Sequence, residues 1–157
     1  MRYMLDTNIC IYLIKNHPPQ VLQRLKTLTQ GSAVMSVVTY AELRAGLEIQ
    51  STNRGRDEQV LSLLITRIPV LPFTESDAEH FGVLRAAVRD RSRNAMDRLI
   101  AAHAVNSGLI LVTNNEADFK DYPGLVVENW ASANPALKGE DCAERVALVK
   151  ASSTESF

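Results

Sequence analysis

Asp6, Glu42, Asp97 and Asp118 are the side chains most able to do chemistry in this chain, because each falls at or near the end of an apolar segment. Asp6 closes the apolar run of residues 2–5 and begins Asp6-Thr7-Asn8. Glu42 lies one turn into a helix that follows a β-rich run, residues 33–38. Asp97 sits in the first turn of a largely apolar helix, residues 96–106, and Asp118 follows the apolar run 109–113 together with Thr113 and Asn115. A carboxylate placed after a buried strand loses solvation unless it is paired or bound to a cation. Four such groups at one sheet edge would repel one another and raise one or more pKa values unless a divalent cation neutralised them. With no Cys or His among them, all-oxygen ligation suits Mg²⁺ or Mn²⁺ rather than zinc. Such an ion polarises a phosphoryl oxygen and lowers the pKa of an attacking water, which is nuclease chemistry. Glu42 and Asp97 each also have an ordinary account as first-turn acids, worth about 0.3–1 kcal/mol against the helix dipole.

The elements that must carry these acids alternate between strand and helix. Residues 2–5 read as a buried strand, and residues 9–14 start a helix capped by Thr7 or Asn8. Val21, Leu22, Leu25 and Leu28 recur at helical spacing after a turn at 16–19. Residues 33–38 read as a second strand, with Thr39 capping the helix of Glu42. Residues 51–57 are either a loop or the solvated start of the next helix, whose apolar face is Val60, Leu61, Leu63, Leu64 and Ile65. The prolines in residues 68–73 make that strand an edge strand. Thr74-Glu75-Ser76-Asp77 caps a helix running through Phe81, Leu84, Ala87 and Val88. Gly108 closes the helix of Asp97, residues 109–113 are the clearest strand, and residues 125–128 form the last one, before Trp130. The class is therefore α/β with a mainly parallel sheet, whose sites form outside the C-terminal strand ends.

At 157 residues, with 46% hydrophobic and 22% charged side chains, the chain is one ordered domain rather than a disordered one. A net charge of -1 excludes a uniformly basic nucleic-acid binder but leaves room for a local basic patch. Cys10 and Cys142 fit neither a disulfide framework nor a zinc site, and no apolar run approaches the roughly 18–20 residues that span a bilayer. A cytoplasmic location with no membrane contact is expected. Arg85, Arg89, Arg91, Arg93 and Arg98 crowd toward Asp97 and would form a positive rim for RNA, or else a solvated helix face balanced by Asp90. Lys15, Arg24 and Lys26 offer a second basic edge. His103 falls six residues after Asp97, about 240° around the helix, and is expected to face away from a metal there. Cys10 reads as a small hydrophobe and Trp130 as a packing residue.

Met4-Leu5-Asp6-Thr7-Asn8-Ile9-Cys10-Ile11-Tyr12-Leu13-Ile14, Ser36-Val37-Val38-Thr39-Tyr40-Ala41-Glu42-Leu43, Asp97-Arg98-Leu99-Ile100-Ala101-Ala102-His103-Ala104 and Leu111-Val112-Thr113-Asn114-Asn115 occur in this order. Together with Gly124-Leu125-Val126-Val127-Glu128-Asn129-Trp130, they resemble the PIN-domain ribonucleases, most closely the VapC toxins of type II toxin–antitoxin modules. The resemblance covers residues 1–130, the expected PIN domain, and leaves 131–157 as a C-terminal extension, partly helical or disordered. It implies a three-layer α/β/α sandwich and Mg²⁺-dependent (or Mn²⁺-dependent) endoribonuclease activity. Asp6, Glu42 and Asp97 match the family's first three acids. The fourth stands at Asn115 in some members and at Asp118 in others; Asp118 is taken here, with Thr113 and Asn115 in support and Asn8 orienting Asp6. Asp6, Asp97 and Asp118 would hold the metal, and Glu42 a second ion or the attacking water. In-line attack by that water implies 5′-phosphate and 3′-hydroxyl ends. The residues before Asp97 lack the Gly/Pro-rich stretch of many relatives.

As partners the resemblance implies a tRNA or rRNA substrate, initiator tRNA foremost, a VapB-type antitoxin and a second copy of the chain. Tyr12, Leu13 and the stripe 60–65 are candidate antitoxin surfaces, or else core. The alternative is a PIN-fold scaffold that binds RNA or antitoxin without turnover. A phosphotransfer domain of the haloacid-dehalogenase or receiver kind fits poorly, because Asn8 is not an acid and strand one carries no acid pair.

Overall fold

A computed structural model describes residues 1–89 and 94–132. The expected extension helix at 142–150 and the loop preceding Asn94 lie outside the described residues. The order is β1 (Tyr3–Leu5), α1 (Thr7–Lys15), α2 (Pro19–Lys26), β2 (Ala33–Ser36), α3 (Val37–Gln50), α4 (Arg54–Arg67), β3 (Val70–Leu71), α5 (Glu75–Ala87), α6 (Ala95–Asn106), β4 (Ile110–Val112), α7 (Glu116–Phe119) and β5 (Val127–Glu128).

The strands form one parallel sheet in the order β3-β2-β1-β4-β5. Successive side chains of a strand point to opposite faces, so each strand feeds two cores. Tyr3, Leu5, Ala33, Met35 and Val112 pack with Ile9, Leu13, Leu25, Leu61 and Leu64 on one face. Met4, Val34 and Leu111 pack with Leu84, Ile100, Ala101 and Phe119 on the other. The result is the three-layer α/β/α sandwich. Covered on both faces, β1 is buried at every position, which is why it reads as an unbroken apolar run. β3 sits at the sheet edge, where Pro69 and Pro72 cost no ladder bonds.

Several boundaries differ from the sequence expectation, the last three strands being shorter, at Val70–Leu71, Ile110–Val112 and Val127–Glu128. Asp6, not Thr7 or Asn8, caps α1, its side chain accepting from Thr7 N–H. β2 stops at Ser36, whose hydroxyl caps α3 by accepting from Val38 N–H at 3.1 Å. Val37 and Val38 extend the expected strand because β-branched side chains favour strands, but the hydroxyl at 36 turns the chain first. Residues 116–119, to which the sequence assigns no element, make the short helix α7. Asn53 caps α4, so residues 51–53 are loop and the helix begins at Arg54. Gly108, at φ 63, ends α6 in the left-handed region as expected.

The capping box at α5 is complete: Thr74 N–H donates to Asp77 Oδ2 at 2.6 Å, and Asp77 N–H donates to Thr74 Oγ1 at 3.4 Å. Thr74→Ala should lower stability by about 1–2 kcal/mol in urea unfolding, with Thr74→Ser close to wild type.

Candidate active site

The sheet winds outward in both directions from the β1–β4 pair, so the crevice beyond the C-terminal ends of these two strands is the topological switch point. Asp6 follows β1 and Thr113 follows β4. Asp6 is 3% exposed; its Oδ1 accepts from Thr7 N–H and its Oδ2 from the Thr113 hydroxyl, both at 2.8 Å. Burial pushes its carboxyl up, these two hydrogen bonds draw it down, the charge of Glu42 adds to the rise, and the balance lies above the ordinary value.

From Thr113 the polar contacts continue outward. Its hydroxyl accepts from Asn115 N–H at 3.0 Å, and the Asn115 side-chain amide donates to the Asp118 carboxylate on α7. Asn115 and Asp118, the two candidates for the fourth position, are therefore direct neighbours. Glu42 comes in from α3 and accepts a hydrogen bond from the Thr7 hydroxyl. Asp97 comes from the first turn of α6, which Asn94 caps by accepting from Met96 N–H at 3.0 Å. Burial first, then the charges of Asp6, Glu42 and Asp118, push the Asp97 carboxyl up to about 6. Acids from four segments thus share one electrostatic neighbourhood.

The donor set has the chemistry of a hard divalent cation: oxygen only, with repulsion that such an ion would relieve. Among the described residues, however, no three acidic, imidazole or thiol side chains are grouped closely enough to hold a metal ion as they stand. The fold brings the charge together without closing a cage around it.

Two expectations need correction. Asn8 is exposed, and Asp6 takes its hydrogen bonds from Thr7 and Thr113 instead. Arg98 is 3% exposed, with Nε donating to the Tyr122 hydroxyl at 3.3 Å, so it lies inside the protein and not on a rim. Arg85 is half-buried and Arg89 exposed at the end of α5, while Arg91 and Arg93 lie outside the described residues. Thr7 is the residue sequence reasoning missed: it enters there only as a possible cap. A hydroxyl directly after a strand-end acid, on the first turn of a helix, was the available signal. Thr7→Val should lower turnover on the order of 10-fold, through loss of one hydrogen bond to a charged group. Thr7→Ser should keep most of it, as steady-state cleavage rates would show.

Other side chains fall where their chemistry directs. Cys10 is buried, and burial raises its thiol pKa, leaving it unreactive. Trp130 packs edge-on against Tyr3 with ring centroids 5.2 Å apart. His103 bonds to Ser36 rather than facing the acids. Leu13, Leu61 and Leu64 are core, and Leu63 is exposed. Tyr12 is half-buried, its hydroxyl accepting from Asn114 at 2.7 Å. Among the described residues no helix is long and apolar enough to cross a membrane.

A doubly wound parallel sheet with carboxylates gathered at its switch point defines an α/β domain with an acidic site at its strand ends. The PIN domain model matches residues 3–125. The chain is 41% identical over 133 residues to the tRNA(fMet)-specific endonuclease VapC of Shigella flexneri, covering 83% of this chain and 99% of that protein. It is 34% identical to Ribonuclease VapC2 of Rickettsia felis, over 83% of this chain and 98% of that one. Its structure is similar to a crystal structure of VapBC2 from Rickettsia felis bound to a DNA fragment from their promoter, with TM-score 0.76 and 33% identity, covering 83% of this chain and 99% of that one. DNA-bound VapBC from Salmonella typhimurium matches with TM-score 0.76 and 35% identity, over 83% of this chain and 98% of that one. The chain belongs to the PIN-domain family and, within it, to the VapC ribonucleases. Nucleases of this family depend on a divalent metal.

Proposed function

We propose that this chain is a Mg²⁺-dependent endoribonuclease, the toxin of a toxin–antitoxin pair, which cleaves a structured RNA of the tRNA class and thereby stops translation. The observation that carries this reading is the gathering of acids at the C-terminal ends of β1 and β4, where Thr113 holds Asp6, Thr7 holds Glu42 and Asn115 holds Asp118, with Asp97 near enough to feel the charge of all three. A binding scaffold would gain nothing from clustered, mutually repelling charge.

In this reading Asp6, Asp97 and Asp118 hold the principal ion, with Mn²⁺ able to replace Mg²⁺, and Glu42 orients the attacking water or holds a second ion. The bound ion would polarise a phosphoryl oxygen and lower the pKa of the attacking water. Thr113 keeps Asp6 turned into the crevice and Asn115 does the same for Asp118. Thr7 holds Glu42 beside Asp6. Arg85 and Arg89 supply phosphate contacts on the α5 side, so RNA affinity should fall as salt rises. The relative named for tRNA(fMet) makes initiator tRNA the first substrate to try. The VapBC structures make a VapB-type antitoxin the expected partner, and a second copy of the chain is expected beside it. Residues 1–130 would form the domain and 131–157 an extension past it, as the share of this chain matched by the curated relatives supports.

The test is end-mapping of total cellular RNA treated with the purified chain and Mg²⁺. The expected result is one or a few cleavage sites in tRNA, with 5′-phosphate and 3′-hydroxyl ends. EDTA should stop cleavage, and excess Mg²⁺ or Mn²⁺ should restore it. Cleavage undiminished in EDTA, or 2′,3′-cyclic phosphate ends, would overturn the mechanism.

A further inference from the structure

A separate set of buried polar groups joins β2, α5 and α6. Ser36, Asp77 and His103 are 0%, 2% and 2% exposed. His103 Nδ1 lies 2.9 Å from Ser36 Oγ, and its Nε2 lies 4.0 Å from Asp77 Oδ2. The Phe73 ring meets the imidazole edge-on at 5.6 Å. Asp77 also accepts from Asn106 at 2.8 Å and from the Thr74 hydroxyl at 2.7 Å. With a carboxylate facing Nε2, the imidazole proton belongs on Nε2, and the Ser36 hydroxyl donates to Nδ1. Burial lowers the pKa of His103 and so favours its neutral form, although Asp77 pulls the other way. Serine, histidine and aspartate in this order invite comparison with a nucleophilic triad. Yet Ser36 Oγ is sealed from solvent and engaged with Val38 N–H as the α3 cap, so no substrate reaches it.

Its position in the chain points to another role. Ser36 precedes Glu42 by six residues, and His103 follows Asp97 by six, about 9 Å of helix rise in each case. α3 and α6 pack together, and Asp97 responds to the charge of Glu42. The two helices are therefore tied by a buried hydrogen bond and, farther along, carry carboxylates near enough to feel each other's charge. An apolar contact between helices can slide or rotate, whereas a buried hydrogen bond has a fixed length and direction. We propose that the Ser36–His103 hydrogen bond, backed by Asp77, is a positioning contact that sets the spacing between the Glu42 and Asp97 carboxylates against their repulsion. The consequence for metal binding rests on the nuclease reading above; the spacing itself does not.

The test compares the full chain with Ser36→Ala, His103→Leu and His103→Asn, whose amide overlaps the Nδ1 position and can still bond Ser36. Metal-free crystal structures report the separation of the Asp97 and Glu42 carboxyl carbons, and calorimetric titration reports Mn²⁺ affinity. The alanine and leucine variants should change the separation by about 1 Å or more. They should also weaken Mn²⁺ binding on the order of 10-fold, as loss of a contact that orients a ligand does. The asparagine variant should stay close to wild type in both. Unchanged separation in Ser36→Ala and His103→Leu, with only thermal stability lowered, overturns the proposal, as does an asparagine variant no better than leucine. If His103→Leu fails to fold, Ser36→Ala decides. If the wild type binds no Mn²⁺, the metal reading fails, and the metal-free separations still decide the positioning claim.

Discussion

Asp97→Asn should abolish RNA cleavage, by at least about 10²–10³-fold, and yet raise the melting temperature of the metal-free protein. The two effects share one cause. Burial and three neighbouring acids lift the Asp97 carboxyl from an ordinary 3.8 to about 6, so its ionised form is disfavoured in the folded state. The protonated carboxyl costs the fold little below pH 4. As pH rises from about 4 to about 6, the unfolded chain releases this proton more readily, and the folded state loses stability over that window. Discounted for solvent screening and for the lost first-turn acid, removing this charge gains about 1 kcal/mol at pH 7.5, or about 2–4 °C. A saturating divalent ion should reverse the ranking, stabilising wild type and leaving the variant nearly unmoved. Scanning calorimetry at pH 5 and 7.5, with and without Mg²⁺, checks all of this. A variant that melts lower than wild type in EDTA would mean that the acids do not repel one another.

Asp6 separates chemistry from stability in a second way. Asn caps helices as well as Asp does, so its amide oxygen can keep the Thr7 N–H bond while its NH2 donates to the Thr113 hydroxyl oxygen in place of the carboxylate oxygen that accepted from it, and Asp6→Asn should fold within about 1 kcal/mol of wild type. Cleavage should nevertheless fall by about 10²–10³-fold, because the carboxylate charge is gone. Asp6→Ala should lose as much activity and also unfold more easily. It removes the α1 cap, about 1 kcal/mol, and leaves the buried Thr113 hydroxyl without its acceptor, about 1–3 kcal/mol. Urea unfolding beside a cleavage assay on the two variants checks this. Asp6→Asn cutting RNA at the wild-type rate would remove Asp6 from the proposed machinery.

How far the sequence discloses this architecture depends on what each signal encodes. Buried parallel strands must be apolar on both faces, so β1, β2 and β4 are legible as short apolar runs, and the polar residue after each marks the sheet edge. Asp6 and Asp118 could be named on that ground, and Glu42 and Asp97 from their places within the opening turns of helices at the same edge. Boundaries were less legible: Val37 and Val38 have the composition of strand, and only the hydroxyl at Ser36 says that the chain turns first. Arg98 shows what adjacency hides. It stands one residue from Asp97, about 100° around α6, and it shares a face with Ala101 and Ala102, both 0% exposed. Counting Arg98 with its sequence neighbours made it a surface charge, while the helical period puts it inside. The Thr7–Glu42 and Ser36–His103 bonds join residues far apart in the chain, and one sequence carries no local signal for such pairs.

The central claim is that acids from four chain segments meet around a divalent ion at the β1–β4 edge, with Asp6, Asp97 and Asp118 holding it and Glu42 beside it. Crystals grown with Mn²⁺ and measured near the manganese edge test it most directly. The account predicts a strong anomalous peak bounded by the carboxylates of Asp6, Glu42, Asp97 and Asp118, absent from Asp97→Asn crystals grown in the same drops. A map with no peak among these acids at saturating Mn²⁺, or one that survives the substitution at full height, would contradict it.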